Sequence, residues 1–154
     1  MRPILGNFKM FQMEDAEMRV FLLALMLCLP GLNLYSQDVK PDNSDKLVVV
    51  WTSDNLELAK SMVFMYTHNA KRYNWFNDVT LIIWGPSAKF AAENEEIQKE
   101  IAQMKESGVK IEVCVACAIM LGVEDKLRKL GYDVKGMGLP LSDYLKQNYK
   151  VLTF

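Results

Sequence analysis

The sequence predicts an α/β fold, a mostly parallel five-stranded sheet with helices on both faces. Three observations lead there. Five short apolar runs rich in Val, Ile and Leu recur over residues 46–154. Segments with helical spacing of apolar residues lie between them. Gly- and Asp-containing turns separate one kind from the other. Strand–helix alternation of this regularity favours parallel neighbours.

The first strand is Lys46-Leu47-Val48-Val49-Val50-Trp51, a near-continuous apolar run expected of a central strand covered on both faces. Thr52-Ser53-Asp54 follows with the oxygens that cap helix starts. Leu56, Ala59, Val63, Tyr66 and Ala70 then mark a helix to about Lys71. The second strand, Val79 to Trp84, closes on the turn Gly85-Pro86-Ser87.

A polar helix comes next. Glu93, Glu95 and Glu96 occupy its early turns, while Lys99 and Lys105 come later, in the sense the helix dipole favours. Ile97, Ile101 and Met104 form its apolar stripe, and Gly108 suits the residue just past its end. Val109 to Val113 is the third strand and runs into Cys114. One helix is expected from Ala118 to Leu130, kinked at Gly122 and stopped by Gly131. Tyr132 to Lys135 is a short fourth strand, followed by Gly136-Met137-Gly138. A helix from Leu141 to Tyr149 and a strand from Lys150 to Phe154 complete the pattern.

Residues 1–45 read differently. Met18-Arg19 opens a stretch with one positive charge, the apolar run Val20 to Leu29 follows, and Pro30-Gly31 breaks it before Leu34-Tyr35-Ser36. Charged start, short apolar core and small closing residue are the parts of an export signal over 18–36. The run is short for a bilayer span, so no stable membrane segment is expected once the signal is removed. Residues 1–17 form an upstream extension, and 37–45 a polar linker to the folded body at 46–154. The chain is therefore expected to be exported, to a periplasmic location. The alternatives are an amphipathic or buried helix, or lipidation at Cys28, which the bulky Leu27 before it disfavours.

At 154 residues and 51% hydrophobic content, the chain can bury one real core. Net charge is −1 with 24% charged residues, so no electrostatic footprint for nucleic acid exists. A single His, His68, argues against a His-based triad or metal site and reads as a helix-surface residue. There is no second CxxC to complete a zinc site, so no metal is expected. Ser53, Ser61 and Ser87 lack a nucleophile-elbow setting. Neither Gly85-Pro86-Ser87 nor Gly136-Met137-Gly138 is a phosphate-binding fingerprint, and no cofactor is expected.

What remains is Cys114-Val115-Ala116-Cys117, at a strand's carboxyl end and a helix's amino end. Backbone N–H groups there favour an anion and so favour thiolate, the form that attacks disulfides and persulfides. Ligands of parallel α/β sheets gather outside the carboxyl ends of the strands. That edge should collect Thr52 to Asp54, Gly85 to Ser87, Cys114 to Cys117 and Gly136 to Gly138. Cys114 and Cys117 are the candidate catalytic residues. Trp51, Ser53, Trp84, Gly85, Pro86 and Met137 are the candidate pocket residues.

The segment Val113-Cys114-Val115-Ala116-Cys117-Ala118-Ile119-Met120-Leu121-Gly122-Val123-Glu124-Asp125 resembles the cysteine- and alanine-rich stretch of the DsrE/DsrF-like family of small sulfur-relay proteins. Gly138, Leu141 and the closing Val151-Leu152-Thr153-Phe154 are similar to the family's ending. The resemblance implies a three-layer sandwich, a homo-oligomer, and a sulfur donor or acceptor protein as partner. It carries the persulfide-bearing role, as carrier or sulfurtransferase, onto Cys114. Cys117 departs from the sulfur-transferring members, where a small residue often stands, and is the candidate resolving thiol.

Three functions follow as expectations. Cys114 takes up sulfane sulfur as a persulfide and Cys117, on the same helix face, resolves it. Alternatively the pair performs thioredoxin-like dithiol exchange without sulfur cargo. In a third reading the cysteines are structural and the fold is a non-enzymatic oligomeric binding module.

Overall fold

Five strands, β1 (Lys46–Trp51), β2 (Asp78–Ile83), β3 (Lys110–Cys114), β4 (Asp133–Lys135) and β5 (Lys150–Thr153), form one sheet in this computed structural model. Every neighbouring pair is parallel, and the order is β4-β3-β2-β1-β5. The structure describes residues 43–154; the expected extension, the export signal and the linker up to residue 42 lie outside the described residues.

Period two along each strand divides the side chains between two cores. Leu47, Val49, Trp51, Val79, Leu81, Ile83, Ile111, Val113 and Val134 face the larger core. Val48, Val50, Ile82 and Cys114 face a smaller one.

The larger core is closed by five helical segments. The first, α1, runs through Leu56–Leu58, a π-helical stretch Ala59–Phe64, and Met65–Arg72. After it come α2 (Pro86–Glu93), α3 (Glu95–Glu106), α4 (Val115–Met120) and α5 (Glu124–Lys129). Their buried residues, among them Val63, Phe64, Ala88, Ala91, Ile97, Ile101, Ala118 and Leu127, interlock with that sheet face. The smaller core is covered by α6 (Gly138–Lys146), which brings in Leu141 and Tyr144 but has no fully buried residue of its own. Helices thus lie on both faces, unevenly.

Several local expectations change in the structure. Gly85-Pro86-Ser87 is a helix start rather than a closing turn, with Pro86 in the first turn of α2, where its missing N–H costs nothing. Asn94 ends α2 in an extended conformation and caps α3, its side chain accepting the Ile97 N–H at 3.1 Å. Asn55, not the Thr52–Asp54 segment, caps α1, taking the Leu58 N–H at 3.0 Å. The helix expected over Ala118–Leu130 is two helices. It starts at Val115, and Gly122 at φ +67 ends the first piece by turning its N–H back to the Ile119 carbonyl.

Connections β1→β2→β3→β4 step across the sheet in one direction, whereas β4→β5 returns over the other face to flank β1. The chain therefore leaves β3 toward the larger core and leaves β4 toward the smaller one. β3 and β4 are neighbours. The crevice between such diverging exits is where open α/β sheets bind ligands.

Candidate functional site

Cys114 is the last residue of β3 and pairs in register with Lys135, the last residue of β4. It caps α4 from an extended conformation (φ −68, ψ 110), and Cys117 is the third residue of that six-residue helix. The two thiols therefore sit at the divergent exits. Both are free.

Their surroundings differ. Cys114 faces the smaller core with Val50, Ile82 and Met137 and is only 4% exposed. Cys114 lies at the expected carboxyl edge of the sheet but is not open to solvent there, because β3's alternation turns it under α6. Cys117 is half-buried and straddles both cores. Cys117 holds its proton above the usual thiol range. Burial is the largest cause. The nearby Gly85 backbone offsets part of it, and the neighbouring Cys114 thiol raises it again.

Beside Cys114 lies a polar cluster that the sequence reading did not single out. Glu112, two residues earlier on the same strand face, is 6% exposed. Its carboxylate accepts Lys135 Nζ at 2.8 Å and the Tyr144 hydroxyl at 3.0 and 3.2 Å. Lys135 also donates to Asp133 at 2.6 Å. Burial works against the Lys135 charge, but the hydrogen bonds to Asp133 and Glu112 outweigh it and hold the ammonium above the usual lysine range. Tyr144 is pushed up to about 12, first by burial and then by the Glu112 charge. One signal could have found this cluster: a lone acidic residue in the apolar strand Val109–Cys114 must share its face with Cys114.

The candidate pocket residues separate into groups. Met137, 1% exposed, and the part-buried Trp84 pack in the core that holds Cys114, and the Gly85 backbone lies near enough to influence the Cys117 thiol. Pro86 lines a neighbouring cleft of about 530 Å³ with Asp54, Lys89, Phe90 and Leu121. Ser53 accepts the Asn55 N–H at 3.0 Å and serves the start of α1. Trp51 has no place at the site. It points to the opposite sheet face, fully buried, with its ring 4.9 Å from Phe64 and 6.2 Å from Phe90. Its position in β1 gives it the parity of Leu47 and Val49.

His68 lies in α1 and is hydrogen-bonded to Ser107 at 2.8 Å. Among the described residues, no three His, Cys, Asp or Glu side chains come together as a metal site. No helix among them is long and apolar enough to cross a membrane.

A family model described as the DsrE/DsrF-like family matches residues 45–154. Among solved structures, the chain is similar to a conserved protein of unknown function, BT1422, from Bacteroides thetaiotaomicron. Identity is 39% over 71% of this chain and 95% of that one, with a TM-score of 0.69. It is also similar in fold to the ychN protein from E. coli, at 17% identity over 71% of this chain and 98% of that one, with a TM-score of 0.51. No curated protein matches the chain. The family match over residues 45–154 and a solved relative 39% identical across 95% of its length agree: the chain belongs to the DsrE/DsrF-like family.

Proposed function

We propose that this protein carries sulfane sulfur on Cys114 and uses Cys117 as the resolving thiol. The observation that carries the reading is the pair of free thiols, three residues apart, where β3 ends and α4 begins, beside the diverging exits of β3 and β4. Family membership supports it at the level of sulfur relay.

The chemistry balances within the site. Cys114 thiolate attacks the outer sulfur of a donor persulfide, R–S–SH; a Cys114–S–SH bond forms and the donor leaves as R–SH. Two fates follow. An acceptor thiolate can take the outer sulfur and regenerate Cys114. Alternatively, Cys117 attacks Cys114 Sγ, the Sγ–S bond breaks, and the outer sulfur leaves as hydrosulfide with the bonding pair. In that second route the sulfane sulfur is reduced and the two thiols are oxidised to a disulfide, which an external dithiol must reduce before the next round. The raised proton affinity of Cys117 keeps it a thiol near neutral pH. That favours handing the sulfur on over releasing it.

The reading includes export, on the pattern of residues 18–36. Amino-terminal sequencing of protein from a periplasmic extract should begin near Gln37.

Intact mass spectrometry tests the sulfur step. Reduced protein incubated with polysulfide should gain about 32 Da, one sulfur atom, and Cys114→Ala should abolish the gain. Absence of any adduct on Cys117→Ala, which cannot resolve it, would remove the reading. Dithiol exchange without cargo is the second reading, favoured by the placement of the CxxC at the first turn of α4. Insulin reduction without sulfur uptake would select it. The burial of Cys114 favours the third, a binding module with structural cysteines. Resistance of both native thiols to iodoacetamide would select that.

A further inference from the structure

Strand parity places the cations that share a sheet face with Cys114. Among the described strand residues these are Lys46, Lys110 and Lys135, which alternate with Leu47, Ile111 and Val134 of the larger core. Lys46 stands over the Tyr149 ring at 5.3 Å, and Lys110 pairs with Asp78 at 3.1 Å; both begin their strands, at the far edge from Cys114. Lys135 is rooted beside Cys114, its register partner. Its ammonium reaches back to Glu112 at 2.8 Å and Asp133 at 2.6 Å. Neighbouring parallel strands are about 4.8 Å apart, and Glu112 lies a further two residues, about 6.6 Å, back along β3. A side chain that reaches the Glu112 carboxylate therefore covers the shorter distance to Cys114 by turning about its own bonds. The Tyr144 hydroxyl donates to both Glu112 oxygens, at 3.0 and 3.2 Å, so that buried carboxylate keeps a partner when the ammonium leaves it.

We propose that Lys135 is the counter-ion of the sulfur carried on Cys114, moving from Glu112 to the outer sulfur when Cys114 is loaded. The inference rests on the sulfur-carrying role given to Cys114 above. When Cys114 thiolate takes the outer sulfur of R–S–SH, the donor leaves as R–SH with the persulfide's proton, and the negative charge stays on Cys114–S–S⁻. A persulfide is a stronger acid than its parent thiol, so this anion persists near neutral pH. At a position only 4% exposed it needs a cation. The other ionisable groups close by are Glu112, Asp133, Tyr144 and Cys117, none of them cationic; α6, packed above, adds the half-buried Asp143 and the exposed Lys146. Handing the sulfur to an acceptor removes the anion, and the ammonium returns to Glu112.

The test uses Cys117→Ala protein, in which the adduct is not resolved. It is loaded with polysulfide, freed of excess, and alkylated with iodoacetamide across a pH series, with the Cys114 persulfide followed by fragment mass spectrometry. A change in access scales the rate at every pH, whereas a change in ionisation moves the midpoint. Adding Lys135→Met should move the midpoint to higher pH, slowing the reaction about five- to tenfold on its acid side, and Lys135→Arg should restore it. Glu112→Gln alone frees the ammonium and should move the midpoint the other way. Glu112→Gln with Lys135→Met removes one charge of each sign, so the net charge of the cluster is unchanged and no buried carboxylate is stranded if the single variant fails to fold. The account expects the upward shift there too. A midpoint equal to that of the parent in this double variant would overturn the proposal, reducing Lys135 to a partner for Glu112, while the sulfur-carrying role stands. No adduct on Cys114 in any of these proteins would remove both.

Discussion

Tyr144 donates its hydroxyl to the buried Glu112 carboxylate, and this bond joins α6 to the strand that ends in Cys114. The helix has no fully buried residue, and Leu139 and Leu145 on it are largely exposed. Few apolar contacts therefore hold it over Cys114, and regions so held open most readily. Tyr144→Phe leaves the carboxylate one donor short, at a cost of about 1 to 2 kcal/mol. We expect Cys114 alkylation to accelerate about tenfold in this variant while the melting temperature falls by only a few degrees. Unchanged Cys114 reactivity would show that α6 does not control access.

Alkaline stability should report the buried tyrosines. Tyr132 is 7% exposed and burial pushes it from 10.0 to about 12. Between those values the folded state keeps a proton that the unfolded chain gives up. Its contribution is whole below about pH 10 and is lost as pH rises toward 12. Tyr132→Phe should flatten the fall in denaturant midpoint over that window, and an equally steep fall in the variant would contradict the assignment.

Cys117 titrates above the usual thiol value, so its reactions should keep gaining speed past pH 9. Sulfide release from persulfidated protein is expected to follow the same profile as Cys117 alkylation. A release rate that is flat from pH 7 to 10 would separate resolution from Cys117.

Trp51 is fully buried, yet its indole N–H meets no acceptor among the described residues. Removing that group should be nearly free, whereas removing the ring should not. Trp51→Phe is expected within about 1.5 kcal/mol of wild type by urea unfolding, against about 3 to 5 for Trp51→Ala. A large loss in Trp51→Phe would mean the N–H has a partner.

Gly122 and Gly136 flank the site on either side, and an added Cβ meets nothing within 4 Å at either. Only Gly122 has positive φ. Gly122→Ala should therefore cost about 1 kcal/mol, with Gly136→Ala near neutral or stabilising. Equal losses at both would point to contacts rather than to conformation.

The strands were legible because Leu47–Trp51, Val79–Ile83 and Ile111–Cys114 are buried almost throughout, which leaves little ambiguity of period. Helix limits were less so. Gly122 reads as a kink or as a stop from sequence alone, and Pro86 reads as a turn or as a helix's first residue. Trp51 went to the wrong face because a run apolar at every position hides its parity until the partner strands are known. The cysteines stand out in the sequence by their type and place. Their unequal exposure was not, since it depends on α6, whose contact with β3 spans 32 residues of sequence at Glu112 and Tyr144.

Cys117→Ala decides whether the two sulfurs work as a sequential pair. Loaded with polysulfide and followed by intact mass and sulfide assay, wild type should lose its extra sulfur, release one hydrosulfide per chain and end two hydrogens lighter. Cys117→Ala should keep the adduct on Cys114 and release none. Equal release from both proteins, or loading that survives Cys114→Ala, would contradict the account.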